Sequence, residues 1–97
     1  MARRSVDSLM RVLIPPKIMR KLGFEPEQEI EISMEYGVIY IRKFEPENFK
    51  ERPYVGIIRR IDAKTRVTIP RPYAHLMGIK KGDKVEIKEV RGVIKIL

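Results

Sequence analysis

Arginine is the residue whose placement in this chain most suggests chemistry. Arg3, Arg4 and Arg11 punctuate the first half, and Arg59, Arg60 and Arg66 the second. A guanidinium is a planar fork, always charged, that binds phosphate or a guanine edge through two parallel hydrogen bonds. Arg11 and Arg66 each follow an aspartate by four residues, Asp7 and Asp62. At that spacing an Asp can close a hairpin, accepting turn N–H groups and pairing with the Arg. Other chemistry is poorly served. There is no Cys, and His75 is the single histidine, so neither a thiolate nor a histidine cluster can hold a metal. No nucleophile–base pair and no Gly-rich phosphate loop is visible, so the chain reads as a non-enzyme without a cofactor. Glu25, Glu27, Glu29 and Glu31, spaced by two, read as a solvated strand edge. Tyr36, Tyr40, Phe44 and Phe49 read as core or connector packing, too scattered to stack bases.

Charge distribution strengthens the case for the arginines. The net charge is +8, but residues 1–42 hold 7 Lys/Arg against 6 acids, whereas residues 56–97 hold 11 against 4. A basic half points to a polyanionic partner. No apolar run approaches the roughly 18 residues a membrane span needs, and the start MARRSVDSLM lacks the apolar stretch of a signal peptide. The expectation is a cytoplasmic protein. Many Lys, Glu, Arg and Ile, with a single Asn and no Trp or Cys, would suit a thermophile.

The elements that must position these arginines are written twice. Sliding the chain by 55 positions aligns Arg4 with Arg59, Asp7 with Asp62, Arg11 with Arg66 and Pro15 with Pro70 without a gap. Gly23/Gly78, Glu31/Glu86, Gly37/Gly92 and Ile41/Ile96 continue the match, with apolar residues facing apolar ones between them. The chain is a tandem duplication, 1–43 and 54–97, joined by a charged, proline-bearing connector over 44–53. Each copy predicts the same order. A first strand (2–6, or 54–61) leads through the Asp turn to a short strand ending at Pro15 or Pro70. A short helix follows, and Gly23 or Gly78 supplies the left-handed residue that closes it. A hairpin of two alternating strands completes the unit: 29–34 with 38–43, and 84–89 with 93–97. Gly82-Asp83 predicts a tight turn before the second hairpin; Glu27-Gln28 at the equivalent place predicts a different one. A unit of about 40 residues rarely buries enough apolar surface alone, so the copies are expected to share one core.

The stretch GIIRRIDAKTRVTIPRPYAHLMGIKKGDKVEI resembles the AbrB-type DNA-binding domain, also found in the SpoVT, MazE and MraZ proteins. The shared pattern is a Gly-led basic strand, Asp-x-x-x-Arg, Val-x-Ile-Pro, a helix closing in Leu/Met-Gly-Ile and a Gly-Asp turn. The resemblance implies a mainly β fold with two short helices, a swapped-hairpin β-barrel of the cradle-loop type formed by two tandem ββαββ repeats. With both repeats on one chain it implies a pseudo-dimer, with a homodimer or ring of chains as runner-up. In that family the first strand and the Asp-x-x-x-Arg hairpin form the DNA-facing edge. The matching arginines here are Arg4, Arg11, Arg59 and Arg66, and Arg3, Arg60 and Lys64 would add phosphate contacts. The family often carries further arginines on the helix; this chain has Met19-Arg20 and Ala74-His75 there, so Lys17, Arg20 and Arg71 would substitute in part. The implied function is a nucleoid-associated transcription regulator binding double-stranded DNA. The alternative is a protein-interaction module such as an antitoxin. MazE-like antitoxins carry a disordered tail, whereas this sequence stops on its last strand at Leu97, which weighs against that alternative.

Overall fold

Isoleucine and valine dominate the segments that alternate with charge, and β-branched side chains favour the pleated, half-buried surface of a sheet. The computed structural model describes residues 2–45 and 56–97. Among these residues eight strands form: β1 (Ala2–Ser5), β2 (Arg11–Leu13), β3 (Glu29–Glu35), β4 (Val38–Lys43), β5 (Ile57–Arg60), β6 (Arg66–Thr68), β7 (Lys84–Val90) and β8 (Val93–Ile96). Helix α1 (Pro16–Leu22) follows β2, and helix α2 (Arg71–Met77) follows β6. Most of the expected connector, and the Tyr54-Val55 start of the expected first strand, lie outside the described residues. Phe49 does too.

Pairing runs across the two halves. β1 pairs with β7 and β5 with β3, while β2 pairs with β6, all antiparallel. The result is a six-stranded sheet in the order β1-β7-β8-β4-β3-β5, faced by a two-stranded β2-β6 ribbon. The order is palindromic under the 55-residue shift, and so is the register: Arg4 lies opposite Val85, and its twin Arg59 lies opposite Ile30, the twin of Val85. Here a twin is the residue 55 positions away. An approximate twofold axis therefore passes through the self-twinned pairs Val12–Val67 in the ribbon and Tyr40–Lys95 in the sheet. The large sheet is not closed by hydrogen bonds, since β1 and β5 remain its edges. The Asp hairpins carry each edge strand over into the ribbon, through Asp7 N–H to Arg11 O (3.1 Å) and Asp62 N–H to Arg66 O (2.9 Å).

The core lies between sheet and ribbon. Ile30, Ile32, Ile39 and Ile41 face Val12, Val67, Ile14 and Ile69 within it, together with Ile87, Ile94 and Ile96. Complete burial of each isoleucine is worth about 1.5–3 kcal/mol. Gly23 and Gly78 close the helices at φ 69° and 68°, as expected.

Three expectations need correction. The turn over Glu27-Gln28 does not differ from its twin: Glu27 takes φ 66° where Gly82 takes 87°, and Gln28 Oε1 accepts the Glu25 N–H (2.9 Å) as Asp83 Oδ2 accepts that of Lys80 (2.8 Å). A longer side chain does the same work. Glu31 is not a solvated edge residue but fully buried, because β5 covers β3 and Gly56 N–H donates to Glu31 Oε2 (3.0 Å). Tyr36 is not packing residue but fully exposed, since it occupies a tight turn at φ 49°.

Candidate nucleic-acid interface

The two Asp-x-x-x-Arg segments fold alike, bond for bond. Asp7 Oδ1 accepts the N–H groups of Leu9 (2.9 Å) and Arg11 (2.8 Å), and its Oδ2 accepts Arg11 Nε at 2.7 Å. Asp62 Oδ1 accepts from Lys64 (2.9 Å) and Arg66 (2.8 Å), and its Oδ2 accepts Arg66 Nε at 2.7 Å. One carboxylate thus organises the turn with one oxygen and aims a guanidinium with the other. The Arg11 N–H, the Arg11 guanidinium and the Leu9 N–H hold the Asp7 carboxyl below the usual carboxylate range. Burial opposes ionisation of Asp62, but the same set of donors outweighs it and its carboxyl is lowered too. Each turn closes with a non-glycine residue in the left-handed region, Met10 at φ 62° and Thr65 at φ 61°. Those residues lock the ribbon crosswise, Met10 O accepting the Ile69 N–H (2.8 Å) and Thr65 O that of Ile14 (2.9 Å).

In the ribbon, Arg11 lies opposite Thr68 and Leu13 opposite Arg66, with the buried Val12–Val67 pair between. Arg11 and Arg66 therefore share the outer face at diagonal positions, about 7–8 Å apart along the backbone pairing. Their side chains are 28% and 27% exposed, and the ion pair uses Nε, which leaves the two Nη nitrogens of each to meet a ligand.

Arg4 and Arg59 stand on the sheet edges, on the side of the sheet that carries the core and the ribbon, because they lie opposite buried Val85 and Ile30. Each donates an Nη1 hydrogen to the preceding carbonyl, Arg3 O or Ile58 O, at 2.9 Å. Arg3 and Arg60 alternate to the other side of the sheet, opposite Glu86 and Glu29, and Arg3 approaches Glu86 Oε1 at 3.6 Å. The fold brings Arg4, Arg11, Arg59 and Arg66 to one side and separates Arg3 and Arg60 from them. Lys64 is exposed on the second hairpin turn. Lys17 and Arg71 are exposed on the first turns of α1 and α2, directly beyond the ribbon strands. Arg20 sits in the last turn of α1, beside Lys21, which reaches Glu89 (2.7 Å) at the far end of β7. It belongs with that end of the molecule rather than with the ribbon.

The sequence reading passes over Leu9, Leu13 and Thr68, which are exposed around the ribbon arginines. The period-two alternation of Arg11-Val12-Leu13 against Arg66-Val67-Thr68 is the signal that identifies the latter two. Among the described residues no group of His, Cys, Asp and Glu could hold a metal ion. No helix among them is long and apolar enough to cross a membrane.

No family model matches this chain, and no curated protein matches it. Among solved structures it is similar to PHS018 from Pyrococcus horikoshii, determined in solution. The two are 25% identical over 98% of this chain and 83% of that one, with a TM-score of 0.54.

Proposed function

We propose that this chain is a duplex-DNA-binding regulator of the AbrB type, with repeats 1–43 and 54–97 interleaved as a swapped-hairpin barrel. The observation that carries the reading is the pair of identical Asp–Arg hairpins on one ribbon, related by the approximate twofold axis through Val12 and Val67. The backbone of a DNA duplex has local twofold axes of its own, and a two-fold protein surface matches two half-sites at once. Holding each Nε on a carboxylate reduces the side-chain freedom lost on binding, so the free Nη pair meets phosphate or a base edge at lower entropic cost. Arg4 and Arg59 flank this pair, with Lys17, Lys64 and Arg71 as outer phosphate contacts. Arg3, Arg60 and Arg20 are peripheral in this version of the interface. Cytoplasmic, nucleoid-associated residence follows from the same reading.

The test is a gel shift on duplexes selected from a random pool. Arg11→Ala with Arg66→Ala should abolish the complex while circular dichroism stays that of the parent. The two ion pairs are partly exposed and the Asp turns keep their backbone bonds, so the double variant should stay folded with a moderately lower melting temperature. Undiminished affinity in the folded double variant would remove the ribbon from consideration.

A further inference from the structure

The approximate symmetry of the backbone is not carried through to the side chains on the outer face of the large sheet. The central pair itself is Tyr40 against Lys95. Around it, Arg42 has Leu97 as its twin, Arg91 has Tyr36, and Lys21 has Leu76. Among the described residues, the positions at one end of the sheet are therefore basic where their twins at the other end are apolar or aromatic. The apolar side is a hollow lined by Met34, Tyr36, Gly37, Tyr73 and Leu76. The basic side is a groove of about 440 Å³ lined by Tyr40, Arg42, Val90, Arg91, Val93 and Lys95, with no carboxylate among its lining residues. It adjoins a second hollow that shares Arg42 and Val93 and adds Lys21 and Lys43.

The cations here are held in place. The Arg42 guanidinium lies 5.3 Å and the Lys95 ammonium 5.5 Å from the Tyr40 ring centre, and Lys43 lies 5.7 Å from that of Phe24. An electron-rich ring face favours such cations without neutralising them. Lys95 also lies directly across the β7–β8 pair from Lys88, a like-charge juxtaposition that works against folding. Nearby acids do not balance the set. Glu89 is engaged by Lys21 (2.7 Å) and by the Gly92 N–H (2.9 Å). Glu31, across from Arg42, is fully buried against Gly56, and Glu45 borders the adjoining hollow. Among the described residues, six cations (Lys21, Arg42, Lys43, Lys88, Arg91 and Lys95) meet three carboxylates (Glu31, Glu45 and Glu89), while Glu86 pairs with Arg3.

We propose that the groove formed by Tyr40, Arg42, Arg91 and Lys95 is an anion site that binds a phosphate-bearing ligand, one per chain. Phosphate suits it because Arg supplies bidentate forks and Lys point charges, and a polyphosphate matches a surplus of several charges. The groove is within the size range of small-ligand sites. It lies across the core from the ribbon, since Tyr40–Lys95 and Val12–Val67 mark the two ends of the approximate axis. The site stands independently of the DNA-binding reading. The phosphate can come from a free phosphorylated molecule or from the backbone of a nucleic acid strand that reaches this face.

The experiment is titration of the full chain with sodium tripolyphosphate, followed by calorimetry and by melting temperature. In the ribbon variant Arg11→Ala with Arg66→Ala, which lacks the ribbon's own phosphate contacts, binding should saturate at one per chain and raise the melting temperature by several degrees, because the ligand binds only the folded state. The variant Arg42→Leu with Arg91→Tyr installs what the twin positions already carry, so the fold has room for both. It should lose at least tenfold in tripolyphosphate affinity. Arg91→Tyr alone, on an exposed turn, repeats the measurement if the pair fails to fold. The groove substitutions placed in the ribbon variant should remove this one-per-chain site, whether or not the ribbon binds DNA. If the groove variant also weakens duplex binding, the natural source is a nucleic acid backbone; if duplex binding is unchanged, it is a free phosphorylated molecule. Equal tripolyphosphate affinity in parent and groove variant, or no binding to the parent, overturns the proposal.

Discussion

At the residue scale, the decisive groups are Asp7 and Asp62, because each serves turn and guanidinium together. Both carboxyls are lowered in the folded chain, so their ionised form favours folding. The sign follows from linkage: this stabilisation is complete above the unfolded-state pKa and is lost as pH falls through the folded-state value. Melting temperature measured from about pH 6 down to about pH 2 should therefore drop more steeply in the parent than in Asp7→Asn with Asp62→Asn. At neutral pH the same variant should melt several degrees lower, having lost the charge that holds Arg11 and Arg66. A variant curve parallel to the parent's would show that these carboxylates are not the acid-sensitive groups. The Asp–Arg spacing is visible in the sequence because its bonds span four residues. The burial of Glu31 is not, because its cover comes from Gly56 in the other half. A Cβ at Gly56 would lie 2.7 Å from Glu31 Cγ and from Ile32 O, a contact that no local pattern announces.

At the scale of the element, short helices depend on how they start and stop, and neither helix here is stabilised by a side-chain cap at its N-terminus. Pro15 and Pro70 set the entry, and a left-handed glycine sets the exit. Gly78 has φ 68° and open space around it, so Gly78→Ala tests backbone conformation without a clash. The left-handed conformation costs an L-residue roughly 1–2 kcal/mol. In a chain of this size that corresponds to a fall of at least about 4 °C in melting temperature. A scanning calorimetry trace unchanged by Gly78→Ala would mean the cap relaxes freely. Helix and hairpin bounds were legible to within a residue or two, since proline, glycine and period-two alternation are local signals. The left-handed Met10, Glu27 and Thr65 were not, since nothing in those side chains asks for positive φ; the closing of each turn imposes it.

At the scale of the whole molecule, neither half owns its own sheet. β1 depends on β7, β5 on β3, and the ribbon takes one strand from each half. Residues 1–45 and 56–97 prepared as separate peptides should each fail to fold as monomers. Mixed one to one, they should recover the circular dichroism of the full chain and elute as a complex of one of each. A peptide that folds alone as a monomer would refute the shared core. The same interleaving explains how Arg11 and Arg66, far apart in sequence, come to diagonal positions on one ribbon.

The duplication, the β-rich class, the helix stops and the Asp–Arg hairpins were all present in the order of residues, because each rests on neighbours within a few positions or on the 55-residue repeat. What only the tertiary structure decided is which strand lies beside which, and hence the sides to which side chains are dealt. Alternation assigns Arg4 and Arg59 to the ribbon side and Arg3 and Arg60 to the other, but that division has meaning only once β1 and β5 have found their partners. The basic groove around Tyr40 has the same origin: its cations come from two hairpins, and long-range pairing between β4 and β8 is what gathers them.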